Sequence, residues 1–177
     1  MKALKVLAVA FLTSLFLGCI SSLNPLFTEK ELIFNPDLLG DWSDGETKLS
    51  FTREGEKGYL FNTSWDEEEY KTHLVKLDNN TYLDIYLLDT LNNGLSDPTS
   101  FSGHYFYKIE IKKVEIILSL IDDALVDSLI NDSGGQMPYK ESKDGWLLLT
   151  ASTEKLQKFF RENENLFTYP RVYKKYK

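Results

Sequence analysis

The chain contains only two histidines, His73 and His104, and a single cysteine, Cys19, so few of its side chains are suited to catalysis. An enzyme needs a nucleophile with a base, paired carboxylates in a cleft, or a cluster of metal ligands. If the two histidines met across a sheet, they could hold a metal ion together with a carboxylate such as Asp84. Their spacing does not require this, and two partly exposed strand residues are the simpler interpretation. We therefore expect a protein that is not an enzyme and has no cofactor.

The acidic clusters do not have the pattern of a calcium loop. Residues 66–69 are consecutive acids without alternating ligand spacing or a turn glycine. Asp41, Asp44 and Glu46 surround Gly45, but they do not form such a pattern either. A solvated hairpin tip is the better interpretation of residues 66–69, and we expect no metal site.

Two segments carry tyrosines at alternate positions and could line a cavity. Tyr82, Asp84 and Tyr86 share one face of a predicted strand, whose other face is aliphatic. Tyr105 and Tyr107 share a face of a later strand with two isoleucines. If these faces point into a barrel, they would line a pocket for an apolar or amphipathic molecule. If they do not, the carboxyl group is solvated or the tyrosines belong to a filled core.

The elements that must position these residues are predicted to be mainly β-strands. Segments with alternating or β-enriched residues recur between turn residues, which is typical of an antiparallel sandwich or barrel. The predicted strands cover residues 47–53, 58–65, 70–77, 82–88, 104–112, 114–121, 145–151 and 168–175. Two longer connections, residues 89–101 and 131–140, could carry function or serve as plain surface loops.

Short helical segments are expected beside the strands. Asn35, followed by proline, predicts the start of a single helical turn that ends at Gly40, with a strand beginning near Trp42. Asp122 is predicted to cap a short helix. Ser152 is predicted to cap a second helix whose apolar residues share one face.

Residues 15–19, Leu-Phe-Leu-Gly-Cys, end an N-terminal stretch that begins with Lys2 and Lys5. The mainly apolar run between Lys5 and Gly18 is about a dozen residues long. This length fits an export signal, whereas a membrane span needs about 20 residues. The stretch resembles the lipobox of bacterial lipoproteins. This resemblance implies that Cys19 is acylated, begins the mature chain and attaches it to a lipid bilayer in the bacterial cell envelope. An ordinary cleaved secretory signal and an uncleaved anchor helix are the alternatives.

Loss of residues 1–18 would remove two lysines and no acids, so the net charge would change from −7 to −9. An acidic surface repels nucleic-acid phosphates and anionic lipid headgroups. We therefore expect no nucleic-acid partner, and a membrane attachment that depends on acyl chains. The expected organisation is a signal peptide over residues 1–18, a lipidated cysteine and tether over residues 19–27, and one β domain over residues 28–177.

A helical turn followed by Gly40-Asp41-Trp42, a meander of strands and a helix before the last strand are together similar to the lipocalin pattern. Residues 23–42 also look like the start of bacterial lipoproteins with lipocalin-like domains. These resemblances imply a mainly β fold, an antiparallel lipocalin-like barrel or half-barrel with one or two short helices after an N-terminal signal segment. By the same analogy Trp42 closes one end of the barrel and Arg171 packs across its ring. The alternative for Trp42 is an ordinary core aromatic.

Two functions remain, and they differ in whether the barrel interior is open. A carrier would bind a small apolar or amphipathic ligand in a cavity on the order of several hundred cubic ångströms. An envelope accessory or assembly protein would have a filled core and act through a protein partner. The sequence favours the carrier.

Overall fold

The computed structural model describes residues 20–65, 67–87, 103–132, 137–141 and 147–176. Cys19 and the predicted signal segment lie outside these ranges, as does the predicted connection over residues 89–101. The strands are β1 (Ile20–Ser22), β2 (Leu32–Ile33), β3 (Gly40–Ser43), β4 (Lys48–Glu54), β5 (Gly58–Thr63), β6 (Glu69–Leu77), β7 (Asn80–Leu87), β8 (His104–Ile111), β9 (Glu115–Ile121), β10 (Tyr139–Glu141), β11 (Leu147–Leu149) and β12 (Phe167–Lys175). The helices are α1 (Asp123–Asp132) and α2 (Thr153–Glu162), with 3-10 turns at Pro36–Leu38 and Glu164–Leu166.

Eight of these strands form a closed antiparallel barrel, in the order β8, β7, β6, β5, β4, β3, β12 and β9, with β9 pairing back onto β8. Tight turns join several neighbours. Gly55 (φ 62°) and Asp78 (φ 52°) take the left-handed conformation that such turns require, which glycine and aspartate tolerate best. The predicted mainly β fold with short helices is therefore confirmed.

The inner faces of the barrel strands carry one continuous apolar cluster. The rings of Phe51 and Phe61 stack with centroids 4.8 Å apart, and Tyr70 lies 6.0 Å from Phe61. Trp42 and Tyr173 are completely buried. The buried members are Leu38, Trp42, Leu49, Phe51, Tyr59, Phe61, Leu74, Leu83, Ile85, Ile109, Ile116, Leu118 and Tyr173. The barrel interior is thus occupied by its own side chains along these positions.

A second apolar cluster covers the outer face of β6, β7 and β8. Because side chains alternate along a strand, Val75, Tyr82 and Phe106 project outward there. Residues from β1, α1, β11 and α2 pack over them. Phe160 of α2 is central to this layer, with its ring 5.4 Å from that of Phe106 and 6.0 Å from that of Tyr82. The barrel wall is therefore buried on both faces along these three strands.

Three short strands extend the sheet beyond the barrel. β1 pairs with the start of β8 at Ser22 and His104, and in parallel with β11, which in turn pairs with β10. Gly103 allows the close approach of β1, because a Cβ atom at this position would lie only 3.0 Å from Cβ of Ser21. The extension joins the first described strand to the C-terminal third of the chain.

The N-terminal segment, residues 20–28, lies within the fold. Ile20 is 4% exposed and Leu26 is completely buried. The segment is held by hydrogen bonds from Leu23 N to Leu149 O (2.9 Å), from Asn24 Nδ2 to Ala151 O (2.8 Å), from Thr153 Oγ1 to Pro25 O (2.8 Å) and from Gln157 Nε2 to Leu26 O (3.0 Å). This differs from the tether predicted over residues 19–27, because the backbone of residues 20–26 is hydrogen-bonded to the domain and Ile20 and Leu26 are buried, although Leu23 is 55% exposed.

The other sequence-based elements agree with the structure to within a few residues. All eight predicted strands are present, and within the described residues 147–151 the seventh covers Leu147–Leu149. Asn35 caps the 3-10 turn, with its Oδ1 accepting from Asp37 N at 3.0 Å. β10 begins within the predicted loop over residues 131–140 and ends one residue beyond it, so that connection is not wholly irregular. Among the described residues, neither α-helix is long and apolar enough to cross a membrane.

Candidate functional site

The five predicted lining residues lie on opposite faces of the barrel wall. Tyr82, Asp84 and Tyr86 project outward, since Tyr82 belongs to the outer cluster and the three alternate with inward Leu83 and Ile85. Tyr105 and Tyr107 pack instead against the inner cluster. The five side chains therefore do not line a common cavity.

The interior tyrosines lie in an apolar environment. Tyr105 and Tyr107 are half-buried on the inner wall, and desolvation raises the pKa of both phenols. Burial also raises the pKa of Tyr173 to about 12. A neutral phenol is favoured at each position because the charged form would lose its hydration. These tyrosines are suited to packing and to weak polar contacts, and not to proton transfer near neutral pH.

Trp42 is part of the inner cluster and lies beside the 3-10 turn Pro36–Leu38. Its Nε1 donates to Leu38 O at 2.9 Å, which satisfies the indole N–H in a fully buried position. The ammonium group of Lys175 lies 4.8 Å from the ring centroid, a cation–π distance. Arg171, the predicted partner of this ring, forms an ion pair with Asp44 at 3.8 Å. The cation that the structure brings over Trp42 is thus the lysine paired directly opposite it in the β3–β12 ladder.

Asp84 connects the barrel wall to the N-terminal segment. Its side chain is 1% exposed, its Oδ2 accepts from Leu26 N at 2.7 Å, and its Oδ1 shares a 2.6 Å hydrogen bond with Nδ1 of His104. A buried carboxyl group without such partners would be strongly destabilising. Asp84 is therefore neither solvated nor part of a ligand cavity. It fixes residues from two distant parts of the chain.

The two histidines flank Asp84 on neighbouring strands. His73 lies directly opposite it in the β6–β7 ladder, with its ring 4.7 Å from that of Phe27, and the ring of His104 lies 4.9 Å from that of Tyr86. Burial lowers the pKa of His73, and the charge of Asp84 partly opposes this effect. Across the part of the chain that the structure describes, no group of three or more His, Cys, Asp or Glu side chains is placed to hold a metal ion.

A cleft of about 330 Å³ opens at the end of the barrel near the 3-10 turn Pro36–Leu38. β8 contributes residues 108–111, the β6–β7 turn region contributes residues 79–81, and Ile33 and Asn35 complete the lining. Three isoleucines form its apolar wall, while carboxamide, hydroxyl and charged groups form its rim. Sequence reasoning missed this cleft because its residues come from three distant segments that carry no shared motif.

By its architecture, the protein is a closed eight-stranded antiparallel barrel with an outer layer formed mainly by the N-terminal segment and two helices. No protein-family model, curated protein or solved structure matches the chain. Three features of the molecule bear on its function: the occupied interior, the Asp84 contacts and the cleft.

Proposed function

We propose that the chain is a non-enzymatic lipoprotein of the bacterial envelope that acts through contacts with another envelope protein. The observation that carries this proposal is the occupied barrel interior, where buried side chains from the strands pack against one another. A carrier needs vacant apolar space for its ligand. A barrel whose core is filled serves instead as a rigid scaffold for its surface.

The contacts of the histidines support a role without catalysis. A catalytic Asp–His pair orients an imidazole toward a nucleophile. Here the second oxygen of Asp84 is occupied by Leu26 N, and the pair lies under the N-terminal segment. Its geometry suits the attachment of that segment to the barrel.

Attachment to a membrane is proposed from the lipobox-like residues 15–19. A single acyl chain binds a bilayer only marginally, so stable anchoring needs the additional chains that bacterial lipoproteins carry. Because Ile20 already belongs to β1, acyl chains on Cys19 would hold the barrel close to the bilayer.

Metabolic labelling with radioactive palmitate tests this anchor. We expect label in the wild-type chain and its loss in Cys19→Ser, because the sulfur atom is the proposed attachment point. Ser21→Ala is the matched control and is expected to keep the label, since it removes a neighbouring hydroxyl group only. A wild-type chain that incorporates no palmitate would contradict the anchor.

A carrier of a small apolar or amphipathic molecule is the second candidate. The half-buried interior positions of Tyr105 and Tyr107 favour it, because phenol groups there could contact the polar end of a ligand. Native mass spectrometry of the full chain, extracted from cells in detergent, separates the two candidates. We expect no mass beyond the acylated protein. A stoichiometric adduct that is lost in Tyr107→Trp would instead establish the carrier.

A further inference from the structure

We infer that the cleft near Pro36–Leu38 binds an extended peptide segment of the partner, which adds as a strand to the edge of β8. The inference rests on the proposed function, because it takes the ligand to be part of a protein. Three features support it: the separation of two barrel strands, the direction of the β8 backbone groups and the chemistry of the cleft walls.

β7 and β8 separate at this end of the barrel. Their ladder runs from Tyr86 opposite His104 to Tyr82 opposite Lys108 and ends there. Both strands nevertheless continue, β7 back to Asn80 and β8 on to Ile111. The cleft lies between these two diverging ends. A closed barrel has no strand edge, so a local separation creates one.

The β8 backbone offers hydrogen-bonding groups to this opening. Lys112 N donates to Glu115 O at 2.9 Å, on the side of β9. Since backbone groups of successive residues in an antiparallel ladder point to opposite sides, those of Ile111 are directed toward β7. The Tyr82–Lys108 pair ends the β7–β8 ladder at Ile109, so Ile111 is the β8 residue that continues beyond it. The residue that would lie opposite Ile111 is Asn79, which belongs to the β6–β7 turn and not to β7. A strand that continues beyond the end of its ladder is the kind of template used in strand addition.

The cleft walls suit a peptide with alternating side chains. One wall is apolar, formed by Ile33, Ile109 and Ile111, and the rim is polar. An extended peptide turns successive side chains to opposite faces, so one set can contact the isoleucines while the other reaches the rim. Lys108 and Glu110 place opposite charges on that rim, which makes a phosphate or another strongly anionic ligand a poor fit.

Selection from a random heptapeptide library displayed on phage tests the inference with the full-length chain in detergent. We expect enriched peptides that bind the wild type and bind Ile111→Pro about tenfold or more weakly, because proline removes the N–H directed into the cleft. Ile111→Ala is the matched control. It removes more of the side chain than proline does but keeps the N–H, so we expect a loss of less than about threefold.

A second measurement keeps the test independent of the proline variant. In the wild type, an enriched peptide is expected to shift the amide resonances of Thr81 and Ile111 in a saturable way. No enrichment, binding that Ile111→Pro retains, or shifts confined to other surfaces would overturn the inference.

Photo-crosslinking in cells distinguishes a failure of the cleft assignment from a failure of the proposed function. A photoreactive residue at Ile111 is compared with one at Val172, which is 45% exposed on the outer wall. Crosslinks to a protein at Val172 alone would leave the proposed function in place and overturn the cleft assignment. The absence of a protein crosslink at both positions would count against both.

Discussion

Replacement of Trp42 by alanine is expected to lower the free energy of unfolding by about 3–5 kcal/mol. The side chain is completely buried in the inner cluster, so its loss leaves a cavity. It also leaves Leu38 O without the indole N–H that bonds it at 2.9 Å and removes the ring beneath Lys175. Urea denaturation followed by far-ultraviolet circular dichroism measures the change.

Trp65→Ala is the matched control for this prediction, because it makes the same substitution at a side chain that is 46% exposed. We expect a change of no more than about 1 kcal/mol, as is usual for surface positions. Equal effects at the two positions would contradict the burial of Trp42 in the inner cluster.

Asp84→Ala is expected to destabilise the protein by about 2–4 kcal/mol, since it leaves polar partners unpaired in a buried site. The affected groups are Leu26 N and Nδ1 of His104, which bond the carboxyl group at 2.7 Å and 2.6 Å. Chemical denaturation gives the total effect. Amide hydrogen exchange at Leu26 gives the local effect on the N-terminal segment. We expect the exchange rate to increase because the segment loses a point of attachment.

Asp84→Asn serves as the control because it keeps the shape and one carbonyl acceptor. It is expected to cost about half as much as the alanine variant and to leave Leu26 exchange slower than in that variant. If Asp84→Ala left both the stability and the Leu26 exchange rate unchanged, the carboxyl group would not hold the N-terminal segment.

The strands of the barrel were predictable because their signals are local. Alternation of apolar and polar residues and turn residues such as Gly55 and Asp78 act over a few positions. The cap at Asn35 is also local, since its partner is the N–H of Asp37 two residues later. Predictions of this kind succeeded without knowledge of the rest of the fold.

Which face of each strand points inward was not predictable from alternation. The strand with Tyr82, Asp84 and Tyr86 has two faces that could both be buried, one aliphatic and one polar-aromatic. The structure buries both, because the outer layer covers the second face. The carboxyl group is accommodated there only because Leu26 N and His104 supply partners from elsewhere in the chain.

The partner of Trp42 depended on strand register, which the sequence leaves open. The β9–β12 pairing shifts between Thr168 and Arg171, next to Tyr169 with φ 52°. After this irregularity Lys175 is paired opposite Trp42. A bulge of this kind depends on contacts between distant segments, so the lipocalin resemblance pointed to the arginine without being able to fix the register.

The position of the N-terminal segment has a consequence for the order in which the molecule acquires its structure. Asn24 bonds Ala151, a residue 127 positions later, and the parallel partner of β1 is β11. Residues 20–28 leave the ribosome before residues 147–157, yet these later residues form much of the surface to which they bind. Contacts with such large sequence separation form slowly, so residues 20–28 are among the last of the described residues to become protected.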